Sequence, residues 1–282
     1  MDFYIVIPAH NEADSILRTL ESLVNQTLSA KKIIVVNDNS TDETEELVSK
    51  FVLKHVNIEL INNQSSEEHL PGTKIINAFY KGYKTLDEKY DVICKFDADL
   101  VFPRNYLESL AQTFDNDKQV GMAAGFCYIE KDGEWVIEGL TNKDHIRGAL
   151  KAYRKECFLE IGKLKRSMGW DTIDELLAQF YNWKIVTDNS LHVKHLKPTG
   201  LNYAKGSKYL QGEALYKLRF GFPLAFLSSL KLAYKKQSLK LFSDYIFGYI
   251  RAVFSGTERL ITKKQGKFIR NYRWKNIFKK VF

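Results

Sequence analysis

Tyr90-Asp91-Val92-Ile93-Cys94-Lys95-Phe96-Asp97-Ala98-Asp99-Leu100 decides how the chain is organised. Its first seven residues are rich in β-branched and aromatic side chains and read as a buried strand. Asp97 and Asp99 then fall where the strand runs out, the place where open α/β sheets put their ligands. Two carboxylates there offer hard oxygen ligands for Mg²⁺ or Mn²⁺, and a metal so held can carry a diphosphate. The plainer alternative is turn chemistry, or a cap for the helix that begins near Asn105.

Working outward, residues 3–8 form a first strand. A helix follows in which Ile16, Leu20, Leu23 and Val24 share a face, with Asp14 or Ser15 near its start. Residues 32–36 are a second apolar strand that ends in Asn37-Asp38-Asn39-Ser40-Thr41-Asp42. A helix through Leu47, Val48 and Phe51 comes next, then a strand at 57–61 and a polar loop at 62–72. Ile75, Ile76, Phe79 and Tyr83 supply the apolar face of the next helix. Past the central stretch, residues 120–129 read as a strand suited to a mixed sheet. Residues 148–161 read as a helix, 184–186 and 191–195 as two further strands. Between them a helix is lined by Ile173, Leu176, Leu177 and Phe180. Asp171 is its natural N-cap, with Asp174 and Glu175 in its first turn. This alternation predicts an α/β fold, a mixed but mostly parallel sheet with helices on both faces.

Composition bounds the reading. The 282 residues carry 45% hydrophobic and 27% charged side chains, an ordinary globular balance. Cys94, Cys127 and Cys157 fit no zinc or redox spacing, so an intracellular, reduced protein is expected. The first eight residues read as a strand and not as a signal peptide. Net charge is +8, but residues 201–282 hold 18 Lys/Arg against 3 Asp/Glu, a net +15, which leaves −7 on the first 200. We therefore expect a catalytic domain over residues 1–204 and a basic, aromatic, helical extension over 205–282. The extension lacks an apolar run long enough to span a bilayer, roughly 20 residues. Its end, 268–282, reads as a basic amphipathic helix suited to an anionic membrane interface, or else to packing on its own domain. No nucleic-acid recognition motif is present, and nucleic acid is not an expected partner.

Polar residues at several strand ends converge on one edge: Pro8, Ala9, His10, Asn11 and Glu12, then 37–42, then Asp97 and Asp99. A nucleotide crevice needs such convergence, because one site must read base, sugar and phosphate together. Asp38 suits a hydrogen bond to a base, or a turn. There is no GxGxxG and no GxxxxGK[ST], which disfavours a dinucleotide fold and a P-loop.

Taken in order, Val6-Ile7-Pro8-Ala9-His10-Asn11-Glu12, Val35 to Thr44, Phe96-Asp97-Ala98-Asp99, Gly169-Trp170-Asp171 with Asp174-Glu175, and His195 with Lys197-Pro198-Thr199-Gly200 resemble a family 2 glycosyltransferase of the GT-A fold. The resemblance implies a nucleotide-diphospho-sugar donor, a divalent metal (Mg²⁺ or Mn²⁺) and inversion by single displacement. It implies that Pro8, Ala9, His10, Glu12 and Asp38 frame the nucleobase, that Asp97 contacts the ribose region and that Asp99 binds metal. Lys74 stands where a basic residue near the diphosphate is expected; the alternative is a solvated lysine at a helix start. His195 is expected near the metal or diphosphate, or as a structural histidine. The family's Glu-Asp pair is absent. Counting back from Asn182-Trp183 puts Trp170-Asp171 in its place, so Asp171 is the first choice for general base and Asp174 the second, with helix capping the alternative for both.

The expected function is sugar transfer to a glycan or glycolipid acceptor, a lipid-linked or growing envelope glycan, at the inner face of the cell membrane. Two rivals are weighed. A sugar nucleotidyltransferase would show a glycine-rich, arginine-bearing signature near the first strand, which is absent. A non-catalytic nucleotide-sugar binder would have no reason to keep Asp97, Asp99 and Asp171 together.

Overall fold

The computed structural model describes residues 1–65, 72–138, 145–197 and 209–281. Four parallel strands form one half of its sheet: β1 (Phe3–Ala9), β2 (Lys32–Asp38), β3 (Ile58–Asn63) and β4 (Val92–Phe96), in the order β3-β2-β1-β4. β1, β2 and β4 are largely apolar because both faces are covered, whereas β3, at the sheet edge, exposes Glu59 and Asn62. On one face α3 (Thr73–Tyr83) lies so close that a Cβ on Gly82 would meet Val6 and Val36 at 2.8 Å. Ile5, Ile7, Ile33 and Val35, which alternate to the other face, are buried as completely. Between the strands run α1 (Ile16–Val24) and α2 (Thr44–Val52).

The second half of the sheet is mixed. A two-residue β5 (Leu100–Val101) follows the Asp97–Asp99 stretch, and α4 (Tyr106–Asn116) leads into β6 (Val120–Lys131) and β7 (Glu134–Ile137). Residues 148–161, expected as a helix, divide instead into β8 (Leu150–Arg154) and α5 (Lys155–Glu160). β8 lies antiparallel between β4 and β6 in the middle of the sheet. Leu-Lys-Ala-Tyr-Arg has good helix propensity, but burial between two strands overrides it. The two strands expected at 184–186 and 191–195 are one, β9 (Lys184–His195), parallel to β6 with a register shift between Ala124 and Phe126. β9 also carries β5 on its far side, pairing Leu100 with His195.

Helix α6 (Trp170–Phe180) follows α5, and its N-cap is Gly169 at φ 70°, not Asp171, which sits within the first turn. Asp174 and Glu175 lie one turn further on, and both are buried. Gly72 ties the start of α3 to the segment before α6. Its φ is +77°, and a Cβ there would stand 2.6 Å from the Ser167 carbonyl.

The carboxyl-terminal region is helical: α7 (Leu210–Lys217), α8 (Phe222–Lys235), α9 (Leu239–Phe254) and α10 (Lys263–Val281). The expected junction at 204/205 lies outside the described residues. Leu215, Phe220, Leu224, Tyr249 and Ile269 belong to the same apolar cluster as the sheet, so these helices share its core. Phe268 of α10 meets Phe180 of α6 edge-on, and Tyr272, Trp274 and Ile277 pack against the same core. The apolar side of the terminal helix is therefore used within the chain. Among the described residues, no helix is long and apolar enough to cross a membrane.

Candidate active site

The site gathers at the carboxyl ends of β1, β2 and β4. Pro8 and Ala9 close the buried end of β1, and two asparagines in the left-handed region, Asn11 (φ 54°) and Asn39 (φ 56°), turn the chain out of β1 and β2. Side chains stitch the two turns together. Asn11 Oδ1 accepts from the Thr41 amide at 2.7 Å, and the Glu12 amide donates to Thr44 Oγ1 at 2.8 Å. His10 is exposed, with Nδ1 2.6 Å from the Asp38 carbonyl. Asp38 is buried and accepts from Asn63 Nδ2 at 2.8 Å, a constraint imposed by β3. Thus Pro8, Ala9, His10 and Asp38 do share one edge.

Glu12 reaches toward the central strand. It accepts from Lys197 Nζ and Ser15 Oγ, each at 2.6 Å. Burial, together with the charge of Asp99, pushes its carboxyl above the usual range against the pull of Lys197 and Ser15. Lys74 is half-buried in the first turn of α3 and makes no ion pair among the described residues. Pro198, Thr199 and Gly200 lie outside those residues.

Asp97 and Asp99 diverge. Asp97 is ion-paired with the buried Lys95, whose Nζ also donates to the Gly148 carbonyl at 3.1 Å and stands 5.4 Å from the Trp170 ring centroid. Asp99 Oδ2 instead lies 3.3 Å from His195 Nε2, held there by the β5–β9 pairing. The other ring nitrogen, Nδ1, faces Glu138 at 2.9 Å, and Glu138 in turn pairs with Arg147 at 2.5 Å. Burial alone would lower the His195 pKa, but the Asp99 and Glu138 carboxylates outweigh it and bring it up to about 9. The carboxylate suits Mg²⁺ or Mn²⁺, the imidazole beside it favours a first-row transition ion such as Mn²⁺ of the two, and Glu138 on Nδ1 is the partner a ligating histidine usually has. The residues present therefore fit a divalent ion at Asp99 and His195. Cys127 comes within 4.8 Å of Glu138 and His195, but Glu138 is committed to Arg147 and His195.

The acid cluster on α6 is split by direction. Asp174 points inward: Lys151 Nζ is 3.2 Å from Oδ1, and Tyr153 donates a short hydrogen bond to Oδ2. Burial raises its carboxyl against the attraction of Lys151. Glu175 binds Lys151 Nζ at 2.8 Å, the Ile146 amide at 2.8 Å and His145 Nδ1 at 2.9 Å. Those cations outweigh its burial and hold it below the usual range. Asp171 keeps a third of its side chain exposed. His145 Nε2 stands 3.8 Å from it, and a Cβ on Gly148 would be 3.4 Å from its Oδ2. Although burial acts to raise it, His145 and Lys151 keep Asp171 ionised below the ordinary aspartate range. His145 itself rises to about 9, since Asp171 and Glu175 outweigh its burial.

Lys95 and Lys151 form a directly opposed pair across β4 and β8, on one face of the sheet. Two buried ammonium groups side by side are tolerable only because each is met by carboxylates, Asp97 for one and Asp174 with Glu175 for the other. Sequence reading passed over both lysines, and over His145 and Glu138. A usable signal existed for Lys95, a charge inside a continuous apolar strand. None existed for Lys151, whose strand was read as helix.

The model of the family described as "Glycosyl transferase family 2" matches residues 4–164, more than half of the chain. The chain belongs to this family. Among relatives, the "Uncharacterized glycosyltransferase MG025" of Mycoplasma genitalium is 24% identical over 200 residues, 64% of either chain. This family 2 chain thus spans about 64% of that relative's length. Among solved structures, S. aureus TarS 1-349 in complex with UDP-GlcNAc superposes with a TM-score of 0.57 at 16% identity, covering 89% of this chain and 73% of that one. The mannosyltransferase PcManGT of Pyrobaculum calidifontis, in complex with GDP-Man and Mn²⁺, gives 0.56 at 13%, covering 98% and 80%. At these identities the likeness shows the fold, the mixed α/β GT-A sheet with carboxyl-terminal helices added.

Proposed function

We propose that this family 2 chain is an inverting transferase moving a sugar from a nucleotide-diphospho-sugar to a hydroxyl of a lipid-linked or growing cell-envelope glycan, at the inner face of the cell membrane. The observation that carries the proposal is the linkage of donor-side and acceptor-side acids through one buried lysine. Lys95 bridges Asp97 to the Gly148 carbonyl, and Gly148 abuts Asp171. Pro8, Ala9, His10, Glu12 and Asp38 would frame the base, Asp97 would face the ribose and Lys74 the diphosphate. Asp99 and His195 would hold Mg²⁺ or Mn²⁺. That ion, when bound, supplies charge stabilisation for the departing nucleoside diphosphate.

A sugar hydroxyl is a poor nucleophile near neutral pH, so a carboxylate facing the acceptor takes its proton as it attacks. Asp171 has the exposure for this, and it is held ionised by His145 and Lys151. Asp174 spends both oxygens on Lys151 and Tyr153, so it serves as support beneath Asp171. Lys151 also donates to the Asp171 backbone carbonyl at 2.6 Å, fixing the first turn of α6.

Calorimetry with UDP-, GDP- and dTDP-sugars, with and without Mn²⁺, tests the proposal on the protein and on Asp99→Ala. Metal-dependent binding of one donor, lost in Asp99→Ala, is the expected result. Binding of none of them sinks it.

A further inference from the structure

Sixteen large apolar side chains are exposed among the described residues, and ten of them lie between Phe222 and Phe254. The excess is confined to α8, α9 and the turn that joins them. On α8, Phe226, Leu227, Leu230 and Tyr234 recur at helical spacing on the outward side, while Leu224, Ala225, Ser229 and Ala233 face inward. On α9 the outward set is Leu239, Phe247, Ile250 and Phe254; the inward set is Tyr245, Gly248, Tyr249 and Ala252. An ordinary surface helix buries one apolar stripe and presents a polar one. These two bury one and present another.

The pair is held firmly. Phe226 meets Phe242 edge-on with ring centroids 5.2 Å apart, so the outward stripes flank a shared seam. Gly248 lets α9 press on the turn before α7, since a Cβ there would stand 2.2 Å from the Tyr209 carbonyl. Around the stripes stand Lys231, Lys235, Lys236, Lys240 and Arg251, all exposed, against Asp244 as the sole acid from 222 to 254.

We propose that the α8–α9 hairpin is a docking surface for an anionic lipid bilayer. Its outward stripes enter the headgroup region and its lysines meet lipid phosphates. The five-to-one excess of positive charge argues for this occupant over a second copy of the chain, which would set like charges face to face. At 14 and 16 residues, neither helix reaches across a hydrocarbon core, so the hairpin lies on the membrane. The element differs from the terminal helix expected from sequence, because α10 turns Phe268, Ile269, Trp274 and Ile277 onto the core. The inference rests on the membrane-surface part of the proposed function.

The test is co-sedimentation of the full chain with vesicles of phosphatidylcholine alone and of phosphatidylcholine mixed with phosphatidylglycerol. Binding to the mixed vesicles only, weakened by salt, is expected. The variant Leu230→Ser/Phe247→Ser/Phe254→Ser, altered only at exposed positions, should lose at least about tenfold in partitioning, as loss of buried apolar area requires. Phe278→Ser on α10 should change nothing. Partitioning indifferent to lipid charge, or lost in Phe278→Ser and kept in the triple variant, overturns the assignment. So does a dimer, seen by light scattering, that the triple variant breaks while no vesicle binding occurs. Metal-dependent nucleotide-sugar binding is measured on the same samples. Donor binding without vesicle binding removes the docking surface alone, and vesicle binding without donor binding removes the transferase reading alone.

Discussion

Replacing Lys151 with methionine tests the buried charge cluster behind α6. The ammonium is fully buried, within 3.2 Å of Asp174, 2.8 Å of Glu175 and 2.6 Å of the Asp171 carbonyl. Methionine fills much the same volume and leaves the two buried carboxylates to His145, the Tyr153 hydroxyl and the Ile146 and Glu175 amides, with no lysine between them. Removing one partner of a buried ion pair costs about 3–5 kcal/mol. For a domain of this size that is roughly 6–20 °C in Tm. The cost depends on pH, with a definite sign. Without Lys151 the two carboxyls titrate higher in the folded than in the unfolded state, so the folded state binds more protons and loses stability as pH rises. The gap between wild type and variant should open above about pH 4 and be widest near neutrality. Adding Asp174→Asn should recover part of it. Urea unfolding followed by circular dichroism at about pH 5 and about pH 8 measures both effects. A cost under about 1 kcal/mol at the higher pH, or an equal cost at the two, would refute the view that Lys151 is the counter-charge of this cluster.

Asp171→Asn should lower turnover about 10²–10⁴-fold with nucleotide-sugar affinity unchanged, measured by steady-state kinetics beside calorimetry; a matching loss of affinity would mean a donor-side role. Glu138→Ala should weaken Mn²⁺ binding about 10–100-fold by freeing the His195 ring, read by Mn²⁺ electron paramagnetic resonance; unchanged affinity would make Glu138 a partner of Arg147 only. His145 has a folded pKa raised to about 9, so its contribution to stability is complete below its ordinary value and is lost as pH rises through about 9. The difference in urea midpoint between wild type and His145→Gln should therefore shrink from about pH 6.5 to about pH 9, and a difference that grows over this interval would contradict the Asp171–His145–Glu175 arrangement.

Much of the architecture was written locally. Residues 3–8, 33–36 and 92–96 are apolar apart from Lys95, because strands covered on both faces need no polar side, and that pattern can be read without knowing any neighbour. Their polar ends, from Pro8 to Glu12, at Asp38 and at Asp97 and Asp99, follow from the same alternation, since parallel strands bring their carboxyl ends to one edge. Distances along the chain of 80 residues or more cost nothing to such a reading.

Other features had no local signature. Residues 150–154 carry helix formers, and only pairing with β4 and β6 makes them a strand. That pairing puts Lys151 opposite Lys95 and draws Asp174 and Glu175 inward, leaving Asp171 as the exposed acid of the three. Glu138, itself paired with Arg147, reaches His195 from 57 residues away, across a stretch with no periodicity to announce it. On α8 and α9, spacing shows apolar residues on every side but not which side the core takes. The sequence alone determined the parallel strands and the edge where their polar ends meet, because burial on two faces is a property of one segment. Which carboxylate of α6 keeps solvent exposure, which lysines sit beneath it and which helices remain uncovered were decided by the tertiary structure, because the partner that neutralises a buried charge or covers an apolar stripe comes from elsewhere in the chain.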